Sequence, residues 1–152
     1  DERLQDSVYG CYFAYAECNV ADRENLSQNT VIYGHSDLKD NPDGPRFSQL
    51  FRYTDEAFAK ENRIITLATE SEQLNWEIVS VFYTDITFDY IRVNMTDEEK
   101  VDLVNEVIRK SIHNFGIEPQ LQDKFLTLST CSVKYGSDGT QRFVVMARLL
   151  DK

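Results

Sequence analysis

Basic residues, histidines and long apolar runs are all in short supply in this chain, and each shortage removes a class of function. Sixteen Lys plus Arg stand against 26 Asp plus Glu over 152 residues, a formal net charge of -10. No stretch interleaves basic residues with aromatics as a nucleic-acid surface would require, so nucleic acid is excluded as the main partner. No run approaches the roughly 18 apolar residues of a membrane span, and the first residues, DERLQD, are too polar for a secretory leader. Two His and three Cys with no C-x-x-C pair do not support a zinc site. Nothing in the sequence suggests a metal or nucleotide cofactor. Three cysteines cannot all pair internally. With residues 9–17 read as a strand, Cys11 and Cys18 are about 23 Å apart at strand rise, beyond disulfide reach, and read as small buried hydrophobes.

What is present is enough to form one sizeable core, since 41% of the residues are hydrophobic and 12% aromatic. A single domain over residues 1–152 is the expectation. Six segments rich in β-branched and aromatic residues read as strands: residues 8–16, 30–33, 63–68, 76–83, 124–131 and 142–150. Residues 85–93 (DITFDYIRV) fit either a seventh short strand or an extended loop. Short strands used so regularly predict a barrel or sandwich, mainly β with inserted helices.

Thr96 followed three residues later by Glu99 is a capping box, and Val101, Val104, Val107 and Ile108 recur at helical spacing behind it. They predict a helix over residues 97–113, ended near Gly116 and Pro119. Thr54, Asp55 and Glu56 open a shorter helix through Glu61. Residues 40–46 (DNPDGPR) and 132–141 (SVKYGSDGTQ) read as polar loops.

The segment FLTLSTC, residues 125–131, ends a strand on a thiol. If it forms a hairpin with the strand beginning at Arg142, Cys131 and Arg142 face each other across its mouth. Positive charge beside a thiol raises its thiolate fraction, and a guanidinium offers forked donors to an oxygen anion while being unable to act as a base. Such a pair suits covalent acyl transfer, which also needs an acid to protonate the leaving amine. His113, at the expected helix end, has a sufficient role in complementing the dipole. His35 directly follows TVIYG, where a strand gives way to a loop, the kind of position that carries catalytic groups. From spacing alone, a buried Cys and a surface His are the simpler account of these residues.

Taken together, NTVIYGHS, FLTLSTC and RFVVMARL, with FSQLFRYTD, WEIVSVFYTD and DYIRVNMTDEE between them in order, resemble the class B sortases, cysteine transpeptidases of Gram-positive cell surfaces. The resemblance covers residues 29–150. It implies a closed β-barrel with one long helix before the cysteine strand, Cys131 as nucleophile, His35 as general acid and Arg142 as stabiliser of the carbonyl oxygen. It further implies that Tyr33, Tyr90, Ile91, Ser129 and Thr130 line a groove for the sorting peptide. Tyr33 and Tyr90 also fit a plain role as half-buried strand aromatics, and Ser129 could simply bond a neighbour. The implied partners are a sorting-motif peptide of a surface protein and an amine from a peptidoglycan precursor or a pilin. The implied location is the extracytoplasmic face of the cell membrane, reached through an anchor outside this chain. The family has two helices and an early pair of strands before the region VYGCYFAYAEC resembles, so an amino-terminally short member is expected. Pilin polymerisation is an alternative within the family, and a non-catalytic peptide-binding barrel and a hydrolytic cysteine protease are alternatives of other classes.

Overall fold

The computed structural model describes residues 3, 5–37, 39–69 and 71–151. Six strands, β1 (Phe13–Ala14), β2 (Asn29–Tyr33), β3 (Ile64–Ala68), β4 (Gln73–Asp85), β5 (Phe125–Cys131) and β6 (Gln141–Leu149), form one sheet. Their spatial order is β1-β2-β5-β6-β4-β3, and the sheet curls into a half-barrel with β1 and β3 at its edges. All pairings are antiparallel except β2 with β5. The mainly β architecture with inserted helices is therefore as expected.

The sheet is covered on both faces, which explains why β5 is buried at six of its seven positions and β6 at its five central ones. Along β6, Phe143, Val145 and Ala147 enter one core with Trp76, Leu126 and Phe51, while Val144 and Met146 enter the other with Phe82, Phe125 and Val107. This is the period of two that a pleated strand dictates. In β4 the phase changes: Trp76 and Ile78 face the first core, Val81 faces it again, and a bulge between Ile78 and Ser80 absorbs the extra residue.

The first core is closed by a 3-10 segment, Arg46–Thr54, and the short helix α1 (Glu56–Glu61). Asp55 caps α1 by accepting the N–H of Phe58 at 2.8 Å. The second core is closed by α2 (Asp97–Lys110), which has both bonds of the expected capping box, Thr96 N–H to Glu99 and Glu99 N–H to Thr96. This helix lies before β5 in the chain.

Five expectations need correction. The first strand shrinks from residues 8–16 to Phe13–Ala14, because Gly10 takes φ +58 and breaks the extended run. Cys11 and Cys18 therefore lie outside the strand, and both are half-buried free thiols rather than core residues. Helix α2 ends at Lys110, three residues early, where the Ser111 N–H bonds to Ile108 and its hydroxyl bonds to the carbonyl of His113. His113 consequently leaves the dipole and meets the carbonyl of Tyr53 through Nε2 at 2.9 Å. Finally, the face of α2 that packs on the sheet carries Lys100, Leu103 and Val107, leaving Val101 and Ile108 exposed. Lys100 tolerates this because its stem is apolar and its ammonium lies 5.6 Å from the Phe125 ring.

Candidate functional site

Parallel pairing sets Tyr33 of β2 beside Ser129 of β5, and Gly34 N–H still donates to Ser129 O at 3.2 Å. Two residues further along both chains, His35 and Cys131 therefore emerge at the same level. On the other side of β5 the antiparallel ladder puts Arg142 directly opposite Cys131. A middle strand carrying the thiol thus has the imidazole on one flank and the guanidinium on the other. The six residues before Cys131 are all buried, and the cysteine itself is exposed.

The three side chains border one cleft of about 180 Å³, together with Phe13, Tyr33, Gly34, Ser129 and Thr130. Small polar residues of β5 hold its walls. Thr130 Oγ1 donates to Gly34 O at 2.7 Å, fixing the turn that delivers His35. Ser36 Oγ donates to Cys131 O at 2.8 Å, joining the histidine loop to the cysteine backbone. Arg142 is folded back so that Nη1 donates to Gly139 O and Gln141 O at 2.7 and 2.8 Å. This anchors the fork by one nitrogen.

Two glycines make room for the histidine. A Cβ on Gly34 would stand 2.7 Å from the Phe47 ring and 2.8 Å from that of Tyr12. Gly10, in the left-handed region, brings the turn formed by residues 7–10 against the imidazole, where a Cβ would lie 3.3 Å from Cδ2 of His35.

Of the five residues expected to bind substrate, Tyr33, Ser129 and Thr130 border the cleft. Tyr90 and Ile91 are not among its lining residues. Tyr90 is only 4% exposed, and its hydroxyl shares a 2.7 Å hydrogen bond with Ser129 Oγ, so it supports the cleft wall from behind. Its segment, residues 86–95, is neither strand nor helix. Asn29 holds it, donating through Nδ2 to Tyr90 O and Arg92 O at 3.1 and 3.0 Å. Ile91 packs against the second core. Burial pushes the Tyr33 phenol up to about 12, partly offset by the charge of Arg142, and also raises that of Tyr90. Both therefore remain neutral hydrogen-bonding groups over ordinary pH. Phe13, Gly10 and Ser36 were not singled out from the sequence. Their roles depend on pairing partners distant in the chain. Among the described residues, no group of three or more His, Cys, Asp or Glu is placed to hold a metal ion.

Residues 14–150 match the model of the Sortase domain family. Sortase B of Staphylococcus aureus is 30% identical over 128 residues, covering 84% of this chain and 50% of that protein. The chain spans about half the length of the curated relatives it matches, 50% and 51%. Among solved structures, a Staphylococcus aureus sortase B–substrate complex superposes with a TM-score of 0.84 at 27% identity, covering 99% of this chain and 67% of that one. A sortase B complexed with triglycine gives the same TM-score, 0.84, at 27% identity and the same coverages, 99% and 67%.

Proposed function

The chain belongs to the sortase family, in its class B branch, and from that premise we propose that it is a cysteine transpeptidase acting through Cys131, His35 and Arg142. The observation that carries the reading is the meeting of thiol, imidazole and guanidinium at one cleft, at the ends of three strands lying side by side.

The Cys131 thiolate attacks a backbone carbonyl in an extended peptide resembling Asn-Pro-Gln-Thr-Asn, at the bond after Thr. Negative charge then develops on the carbonyl oxygen. Arg142, held by Nη1, presents its remaining N–H groups to that oxygen and stays charged throughout. As the tetrahedral intermediate collapses, the C–N bond breaks and His35 gives its proton to the departing amine, leaving a thioester on Cys131. A second amine attacks the thioester, His35 takes up the proton it releases, and the Cys131 thiolate departs. A solved relative complexed with triglycine supports a glycine amine as acceptor. The acceptor in this reading is a peptidoglycan-precursor amine, met at the extracytoplasmic face of the membrane.

Intact-protein mass spectrometry after mixing the chain with an Asn-Pro-Gln-Thr-Asn peptide tests the nucleophile, with Cys131→Ala as control. The expected result is an added mass equal to the acyl fragment, absent in the control and lost on adding triglycine with formation of the ligated peptide. Release of free acid alone, with triglycine present, would make the chain a hydrolase.

A further inference from the structure

The chain that follows the nucleophile is gripped at two successive points by the loop that begins at His35. At the first, Ser36 donates to the carbonyl of Cys131. At the second, both carboxylate oxygens of Asp40 are engaged: Oδ2 accepts from Ser132 Oγ at 2.6 Å and Oδ1 accepts from Val133 N–H at 3.0 Å. Ser132 is buried, its N–H bonds to Gln141 O at 3.1 Å, and its hydroxyl oxygen also accepts from Lys134 N–H at 3.2 Å. Asp40 therefore closes the start of the loop that connects Cys131 to Arg142.

Its own backbone is set for this. Asp40 has φ +52, a left-handed conformation that costs a side-chain-bearing residue energy and that Asp tolerates better than most. The segment leading to it is fixed by Asp37, whose N–H donates to Ser48 Oγ at 2.8 Å and whose Oδ1 accepts from Asn41 N–H at 3.0 Å. Hydrogen bonds to an ionised carboxylate are shorter and stronger than neutral ones, so two on one side chain make a stiff clamp.

We infer that Asp40 is a positioning residue for acyl transfer: by tying residues 132 and 133 to the loop that carries His35, it fixes the separation of thiol and imidazole. This rests on Cys131 acting as the nucleophile. Without the clamp, the start of the loop after Cys131 is tied to the histidine loop only through Ser36, and the thiol can shift relative to the ring. Displacement of reacting groups by about 1 Å costs on the order of 100-fold in rate. Loss of one anchor among several is expected to cost about 10-fold.

The test measures the single-turnover rate of acyl-enzyme formation with the Asn-Pro-Gln-Thr-Asn peptide, the peptide KM, and the rate of Cys131 alkylation by iodoacetamide at neutral pH. Wild type, Asp40→Ala, Asp40→Asn, Ser132→Ala and the Asp40→Ala/Ser132→Ala pair are compared. The expected result is an acylation rate about 10-fold lower in D40A with KM unchanged, slower alkylation of Cys131, and recovery to within about threefold of wild type in D40N, which keeps the shape and one acceptor. The paired variant should lose no more than D40A alone. Wild-type acylation in D40A, a loss confined to KM, or D40N as slow as D40A would each overturn positioning through these two bonds. A wild-type protein that forms no acyl adduct would instead defeat the nucleophile assignment, and the alkylation rates would still decide whether Asp40 sets the environment of the thiol.

Discussion

Cys131 and Arg142 are direct partners across the β5–β6 ladder, and the guanidinium is tethered by two backbone carbonyls of its own loop. A lysine in its place would have one nitrogen to divide between the tethers and an oxyanion. Arg142→Lys is expected to lower kcat by about 100- to 1000-fold with a smaller change in KM, the cost of removing one preorganised oxyanion donor. Steady-state cleavage of the sorting peptide checks it. A lysine variant within a few-fold of wild type would mean the guanidinium does not face the developing charge.

Gly10 has a backbone conformation strained for any other residue, and a Cβ there would lie 3.3 Å from Cδ2 of His35. Gly10→Ala combines about 1–2 kcal/mol of backbone strain with a push on His35. The expected outcome is a fall of about 10-fold in kcat with far-UV circular dichroism unchanged. Unaltered turnover would show that the turn before β1 gives way freely.

The Tyr90 to Ser129 bond is buried, so breaking it from one side leaves a hydroxyl without a partner. Tyr90→Phe should cost about 1–2 kcal/mol in urea unfolding, and Tyr90→Phe combined with Ser129→Ala should cost less than the sum of the two single changes. Peptide KM should stay near wild type. A loss of peptide affinity exceeding the loss of stability would put the phenol in contact with substrate.

Tyr33 and Tyr83 both have phenols pushed up to about 12, mainly by burial, with the negative charge of Asp40 adding to the effect at Tyr83. A raised value in the folded state means that the fold favours the neutral phenol. That stability is complete below pH about 10, where unfolded tyrosine is also neutral. It falls as pH rises from about 10 through about 12. Replacing either residue by Phe should therefore leave neutral-pH melting little changed and reduce the loss of melting temperature across that window. Tyrosinate absorbance during alkaline titration provides the independent check.

That Cys131, His35 and Arg142 come together at one cleft was legible because each combines a reactive side chain with a local mark, a strand end beside a loop. The start of α2 was legible for a similar reason, since Thr96 and Glu99 satisfy each other within one turn. What escaped was set by contacts far along the chain. Residues 85–93 could be strand or loop from their own pattern. The choice is made by Asn29, whose amide binds the carbonyls of Tyr90 and Arg92 and holds the segment without a ladder. The 3-10 segment at Arg46–Thr54 has no side-chain N-cap and starts at φ +56, so no local signal announced it, and burial of Leu50 and Phe51 stabilises it. In residues 8–16 aromatic richness read as a strand. Tyr12 instead lies beside the Phe47 ring, with centroids 4.7 Å apart, and meets the Arg46 guanidinium at 5.3 Å. Strand propensity measures the fit of a side chain to a packed surface, and a loop supplied that surface here.

The parallel pairing of β2 with β5 has a consequence for the order of assembly. Cys131 and Arg142 are brought together by a hairpin, so a short closure suffices. The histidine loop is joined to the cysteine only across a separation of 95 residues, that of Ser36 and Cys131. Closing the longer loop costs about 2 kcal/mol more in chain entropy, and long-range parallel pairings form slowly. During synthesis or refolding the thiol and guanidinium meet before the imidazole arrives. The cleft that all three side chains border thus forms only once the pairing of β2 with β5, the sheet pairing most distant in sequence, is complete.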